Sequence, residues 1–328
     1  MTDLSSLIIH SPAGTPSLAP DGVLALPVAV ETAAWVTPVD DEMHIWINGP
    51  NSGETTQLRL LPTRQIEKLS SLPFVTAGVT ACDKELVITG SDTAGQAVVL
   101  GTTTDGAVVW QFTMAGPTPT RWPVPGCTTK PVIVWQISPD KIEVADVGPN
   151  GLSLQQSVNV GGPPLDFTIG DNYIWGVWTD SSGIRGVKIG TQGIQPIHIS
   201  VPFPADVAIG VCPEGPCVAW IQGSLAFLTK ITSGVDLITS PPELDLADAA
   251  GGTLAIVSGR EPLLWAQRGK FIEDEEPRWI SALALPDSKP LMIEGFVHTV
   301  AWWGDTVVVV GSGELRFLKL ARHTITHP

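Results

Sequence analysis

Three carboxylates recur at almost one spacing. The segments GPPLDFTIG, PFPADVAIG and PPELDLADA place Asp166, Asp206 and Asp245 at equivalent positions, 40 and 39 residues apart. Like charges gathered in one place can hold a cation or a basic partner, or serve as acid/base groups. The competing reading is local, since Asp beside a turn readily accepts from nearby backbone amides. Cys212 and Cys217 lie in CPEGPC, a compact loop joining two antiparallel strands, where a disulfide is geometrically conceivable. Cys82 and Cys127 fall in other units, the loop supplies too few ligands for a metal, and free, buried thiols are the expectation. The adjacent pair Trp302 and Trp303 must face opposite ways on a strand, so one of them is a candidate aromatic platform at a channel or rim. The acidic run Glu273, Asp274, Glu275 and Glu276, with Asp40, Asp41 and Glu42, reads as a solvated face or as contact for a basic partner.

Other chemistry is not spelled out. The six histidines (His10, His44, His198, His298, His323 and His327) are scattered without a metal-helix spacing or a neighbouring nucleophile motif. The chain has no phosphate-cradling Gly-Lys loop, Gly-x-Ser-x-Gly elbow, zincin motif or calcium-loop pattern. No cofactor is therefore implied, no metal ligand set is assigned, and a non-enzymatic role is favoured. Sites assembled from residues far apart in sequence leave no linear motif, so an enzyme stays among the alternatives.

Composition narrows the class of protein. Over 328 residues, 43% are hydrophobic and only 16% charged, which excludes a disordered chain and points to segments buried on both faces. The 33 Gly and 29 Pro are punctuation for short strands and turns, and the 12 Trp suit wide packing between sheets. A net charge of −15 offers no counterion-release driving force for nucleic acid and disfavours anionic membrane surfaces. No run approaches the ~18 apolar residues of a spanning helix. The start MTDLSSLIIHSPAG has no basic beginning and only a short apolar stretch, so a soluble, cytoplasmic protein is expected.

The elements that must position these residues repeat. One strand type, a few alternating apolar residues ending at a small polar turn, recurs near Ile47, Thr89, Ile137, Thr179, Ile221, Val257 and Val310. Successive separations are 42, 48, 42, 42, 36 and 53 residues, matching ~40–50 residues per four-stranded propeller blade. Each instance is followed by a second apolar strand (QAVVLG, KIEVADV, IRGVKIG, SLAFLTK) and usually by a third. Proline-rich text (GPTPTRWPVP, GGPPLD, PFPAD, PPELD, PDSKP) tends to precede the innermost strands and reads as the connector between blades. Units are drawn at 29–73, 74–117, 118–163, 164–204, 205–244, 245–290 and 291–328. The last lacks an outer strand, so a strand within 4–28 is expected to close the ring, with Leu4 to His10 preferred over Val23 to Val28.

This period and pattern resemble the seven-bladed β-propeller superfamily, of the broadly WD40-like kind, along essentially the whole chain. The resemblance implies an all-β domain of seven four-stranded antiparallel blades, closed by an N-terminal strand. The WD40 signature pairs are absent, and double glycines at Gly161–Gly162 and Gly251–Gly252 do not make a kelch repeat. The expectation for function is a non-catalytic protein-interaction scaffold or a subunit of a larger assembly, with protein partners, among them basic ones. The alternative is a small-molecule or cation-binding enzyme or sensor using carboxylates at the central channel mouth.

Overall fold

The computed structural model describes residues 7–10, 18–49, 53–114, 121–164, 166–170, 172–190, 193–201, 204, 206–213, 215–222, 225–231, 250–270, 278–285 and 290–320. Every regular element among them is a β-strand. Two strands come first, β1 (Ile8–His10) and β2 (Leu18–Ala25). Blade 1 is β3 (Ala34–Val39), β4 (Glu42–Asn48), β5 (Thr55–Leu60) and β6 (Ile66–Leu72). Blade 2 is β7 (Val75–Cys82), β8 (Glu85–Ser91), β9 (Ala97–Thr103) and β10 (Val108–Thr113). Blade 3 is β11 (Arg121–Cys127), β12 (Pro131–Ser138), β13 (Lys141–Gly148) and β14 (Gly151–Asn159). Blade 4 is β15 (Asp166–Gly170), β16 (Tyr173–Asp180), β17 (Gly183–Gly190) and β18 (Gly193–Ile199). Blade 5 shows β19 (Asp206–Cys212), β20 (Gly215–Gln222) and β21 (Leu225–Lys230) among the described residues. Blade 6 is β22 (Ala250–Val257), β23 (Leu263–Lys270), β24 (Arg278–Ala284) and β25 (Leu291–Glu294). Blade 7 is β26 (Thr299–Trp303), β27 (Thr306–Val310) and β28 (Glu314–Leu320).

Pairing within every sheet is antiparallel, and the first strands of neighbouring blades touch in sequence from β3 through β7, β11, β15, β19, β22 and β26 back to β3. That cycle closes a seven-membered ring around a central axis. Second strands such as β8 (ELVITGS) and β27 (TVVVV) are apolar on both faces because a neighbouring blade covers each side. Outer strands alternate or lie open to solvent, as in β14. The apolar clusters accordingly run between blades: Val134, Val144 and Val158 of blade 3 pack with Phe167, Trp178 and Ile189 of blade 4.

Trp supplies the width of these seams, and glycine makes room for it. A Cβ on Gly162 would stand 2.2 Å from Trp178 Nε1, and one on Gly259 would stand 2.2 Å from Trp302 Cδ1. Each indole therefore occupies the space that a Cβ would need, so a side chain at either glycine would displace it.

The ring closes through β2, which pairs with β28 from Leu18↔Leu320 to Ala25↔Glu314. Of the preferred closing segment, Leu4 to His10, the described strand Ile8–His10 goes elsewhere and adds to β25 as a fifth strand of blade 6. The reason lies in blade 6, which reaches to Glu294 and so begins blade 7 later in the sequence. β2 then holds the only N-terminal stretch among the described residues long enough to pair the whole of β28. The prolines also depart from expectation. Pro123 and Pro125 sit inside β11 rather than ahead of it, which an innermost strand tolerates because its axial side makes no ladder.

Candidate functional site

Asp166 and Asp206 are the first residues of β15 and β19, on one side of the ring, and Asp245 lies outside the described residues. Both described carboxylates are engaged by the protein. Asp166 Oδ1 accepts from its neighbour Phe167 N at 2.9 Å, while Oδ2 accepts from Ile209 N on the next blade, also at 2.9 Å. Asp206 Oδ2 accepts from Arg268 Nη2 at 2.5 Å, so a buried guanidinium from blade 6 balances it. The pair thus ties blade 4 to blade 5 and blade 5 to blade 6. Among the described residues no three His, Cys, Asp or Glu side chains come together to hold a metal ion.

The tryptophan pair splits between two seams. Trp302 is buried in the blade 6–7 cluster, whereas Trp303 is half-buried against the blade 7–1 cluster. Trp303 Nε1 donates to the Asp41 carbonyl at 2.8 Å, fixing the β3–β4 turn to blade 7. In that turn Asp40 adopts φ 53°, a left-handed conformation that Asp tolerates better than most residues. Glu42 stands 3.6 Å from Arg59, which also binds Glu67 at 2.8 Å and Asp105 of blade 2 at 3.0 Å. The run Glu273 to Glu276 lies outside the described residues.

His44 is fully buried beside this network, its ring stacked on Trp46 with centroids 5.9 Å apart. Burial, followed by the nearby Arg59 charge, pushes its pKa from 6.5 down to about 4, so it is neutral at ordinary pH. His298, held by Ser312 Oγ at 3.2 Å, is likewise lowered to about 4, chiefly by burial.

The cysteines are not free thiols. Cys82 is bonded to Cys127 and Cys212 to Cys217. Cys82 and Cys127 end β7 and β11, the innermost strands of consecutive blades. Their separation of 45 residues is one blade period, and that coincidence was the signal available in the sequence.

A feature no motif announced lies between blades 3 and 4. A cavity of about 480 Å³ has a floor of Val132, Val144, Ile174 and Ile189, and walls bearing Thr128, Lys130, Gln155, Gln156 and Asn172. A β-bulge where Val144 and Ala145 oppose Gln156 and Leu154 leaves Gln155 as the extra residue. Lys130 and the Gln155 amide both bind the Asp146 carboxylate, so the ammonium at the wall is already neutralised. Gln156 Nε2 reaches the Gly190 carbonyl at 3.4 Å across the seam. The disulfide at Cys127 adjoins Thr128 and so anchors one wall. Outside the cavity, the outer strands of three consecutive blades carry exposed aliphatic side chains: Val108 and Val109, Leu152 and Leu154, and Ile194.

No family model matches the chain, and no curated protein matches it. Among solved structures, a chain of a crystal structure of the Mitotic Checkpoint Complex aligns with a TM-score of 0.61 and 13% identity, covering 98% of each chain. A functionally unknown protein from Desulfotomaculum acetoxidans DSM 771 aligns with a TM-score of 0.57 and 11% identity, over 87% of this chain and 90% of that one. The WD40 β-propeller domain of Doa1 aligns with a TM-score of 0.56 and 12% identity, over 94% of this chain and 98% of that one. These likenesses span the whole ring of blades and agree with its strand topology, and the chain is a seven-bladed β-propeller similar in fold to WD40 propellers.

Proposed function

We propose that the protein is a non-catalytic interaction scaffold, or a subunit of a larger assembly, that holds protein partners on its rim. The observation that carries this reading is the row of exposed aliphatic residues on the outer strands of blades 2, 3 and 4. Exposed aliphatic side chains such as the Leu152 and Leu154 pair offer apolar surface that a partner can cover. A ring in which every blade packs on both neighbours presents such a surface rigidly, so little ordering entropy is lost on association. One of the similar chains comes from the Mitotic Checkpoint Complex and another is a WD40 domain, which accords with a scaffold.

The test is purification of the tagged protein from its native host at low and high salt, alongside a Val109→Lys/Leu154→Lys/Ile194→Lys variant shown to be folded. A stoichiometric partner retained at high salt and lost from the variant is the expected result. No partner at either salt, or one indifferent to the variant, overturns the reading. A count of thiols under denaturing, non-reducing conditions belongs to the same sample. Two disulfides fit an oxidising compartment better than the expected cytoplasmic residence, and four titratable thiols would restore the latter.

A further inference from the structure

The chain already performs one strand addition on itself. Ile8–His10 joins the outer edge of blade 6, in register from Ile8↔Glu294 to His10↔Met292, and so satisfies that edge. Strand β14 is the outermost strand of blade 3, and among the described residues nothing pairs with its outer side. Open edges ordinarily carry a charge or a proline that discourages pairing. The outer strands of blades 7, 1 and 4 do, with Pro20 and Asp21 in β2, Glu67 and Lys68 in β6 and Pro196 in β18, whereas the six-residue β10 (VVWQFT) has neither. β14 reads GLSLQQSVN, nine residues with neither.

The surroundings of this edge are built for alternate side chains. Leu152 and Leu154 pair with Val147 and Ala145, which pack toward blade 2, so the two leucines lie on that side of the sheet. Gln156 pairs with Val144, which packs toward blade 4, and it lines the cavity of about 480 Å³. Ile194 pairs with Ile189 of the cavity floor and stands 46% exposed on the same side of blade 4. A strand laid along β14 sends successive side chains to opposite faces, one set onto Leu152 and Leu154 and the other into the cavity.

The lining states the chemistry of the occupant. Its floor is aliphatic, its polar groups are amides and hydroxyls, and its one charged group, Lys130, is neutralised by Asp146. That volume lies within the range of ligand sites, and an uncharged site matches an uncharged occupant. We infer that β14 takes up an extended, uncharged segment of a partner protein as a fifth strand of blade 3, with one aliphatic side chain seated between blades 3 and 4. The inference rests on the scaffold reading and specifies its partner.

The experiment pans a displayed library of random 12-residue peptides against the full chain, then measures binding of the enriched peptides and hydrogen exchange with and without them. Enriched sequences should lack charge over a stretch alternating aliphatic and polar residues, and should slow exchange at residues 152–158. Leu154→Lys, a change at an exposed position, and Thr129→Trp, which fills the cavity from an exposed wall position, should each weaken binding at least tenfold. Protection elsewhere, a charged consensus, equal binding by both variants, or no enrichment overturns the inference. Failure here with a partner still recovered from the host leaves the scaffold standing, while absence of any host partner removes the scaffold itself.

Discussion

Blade 2 is held to its two neighbours by opposite chemistries at the two ends of one strand. Near its start, β7 meets blade 1 through a buried polar clamp: Asn48 Nδ2 donates to the Thr76 carbonyl at 3.0 Å, and Asn48 Oδ1 accepts from Thr76 N at 3.0 Å. Thr55 completes it, donating to Asn48 Oδ1 at 2.7 Å or to the Phe74 carbonyl at 2.8 Å. At its end, β7 is joined covalently to blade 3 through Cys82–Cys127. Blades 2 and 3 also share a polar link, the Thr89 hydroxyl donating to the Pro123 carbonyl at 2.7 Å. The amide of Asn48 copies a strand partner, so it fixes register; the disulfide limits how far apart two blades can move. A hydrogen-bonded junction depends on solvent exclusion, whereas a covalent one depends on redox conditions.

The largest expected effect separates the two by reductant. Cys82→Ser/Cys127→Ser removes a cross-link between residues 45 apart and should cost about 3–4 kcal/mol in denaturant unfolding. On reduction the wild type should lose at least as much, since Cys212–Cys217 opens too, and the variant should lose only the smaller share that belongs to that short-loop bond. Asn48→Ala removes the donor to the buried Thr76 carbonyl and leaves the Thr76 amide only its 3.1 Å bond to Thr55 Oγ1, and should cost about 2–3 kcal/mol in either redox state. The two sites lie at opposite ends of a strand, roughly 20 Å apart by strand rise, so their effects should add within ~0.5 kcal/mol. Marked coupling would show that β7 transmits strain between its neighbours.

Acid should act on the blade 1 side first. His44 shares β4 with Asn48, and its folded pKa of about 4 lies below the ordinary 6.5. As pH falls from 6.5 towards 4, the unfolded chain takes up the proton that the folded chain refuses. Stability is therefore full above pH 6.5 and declines below it, with a slope approaching ~1.4 kcal/mol per pH unit from this group. His298, lowered to the same value, adds a like share, so His44→Phe should remove about half of that acid limb, and hydrogen exchange should show β4 loosening before β11. Thr89→Val gives the smallest change, about 1 kcal/mol, because the disulfide still holds the same pair of blades. A larger cost would mean that the hydroxyl, not the covalent bond, sets their spacing.

The architecture was legible because second strands repeat a local pattern that period counting can find: buried on both faces, they must be apolar throughout, as in β8 and β27. Closure was less legible, since β1 and β2 are both apolar enough to add to an edge, and only the length of blade 6 decides which edge each one meets. Asp166 and Asp206 were visible as a repeat, yet their partners, Ile209 N and Arg268, belong to other blades and leave no trace at that spacing. The cavity was invisible for a different reason. It depends on one bulged residue, Gln155, and on the fit of two sheets, neither of which alters a hydrophobic pattern.

Ring closure also has a consequence in time. The Leu7 amide donates to Glu314 Oε1, a contact spanning 307 positions, and β2 completes the sheet of β28. At ~5–20 residues per second of synthesis, the early strands emerge roughly 15–60 seconds before the edges they must cover. Blades 1 to 5 can form before β28 emerges, but blade 7 can only be finished after it. During that interval β2 waits unpaired in every chain on the polysome, and a chain further along presents its vacant β28 edge to its neighbours' β2 as well as to its own, so exchange of β2 between chains is the misassembly that this topology invites.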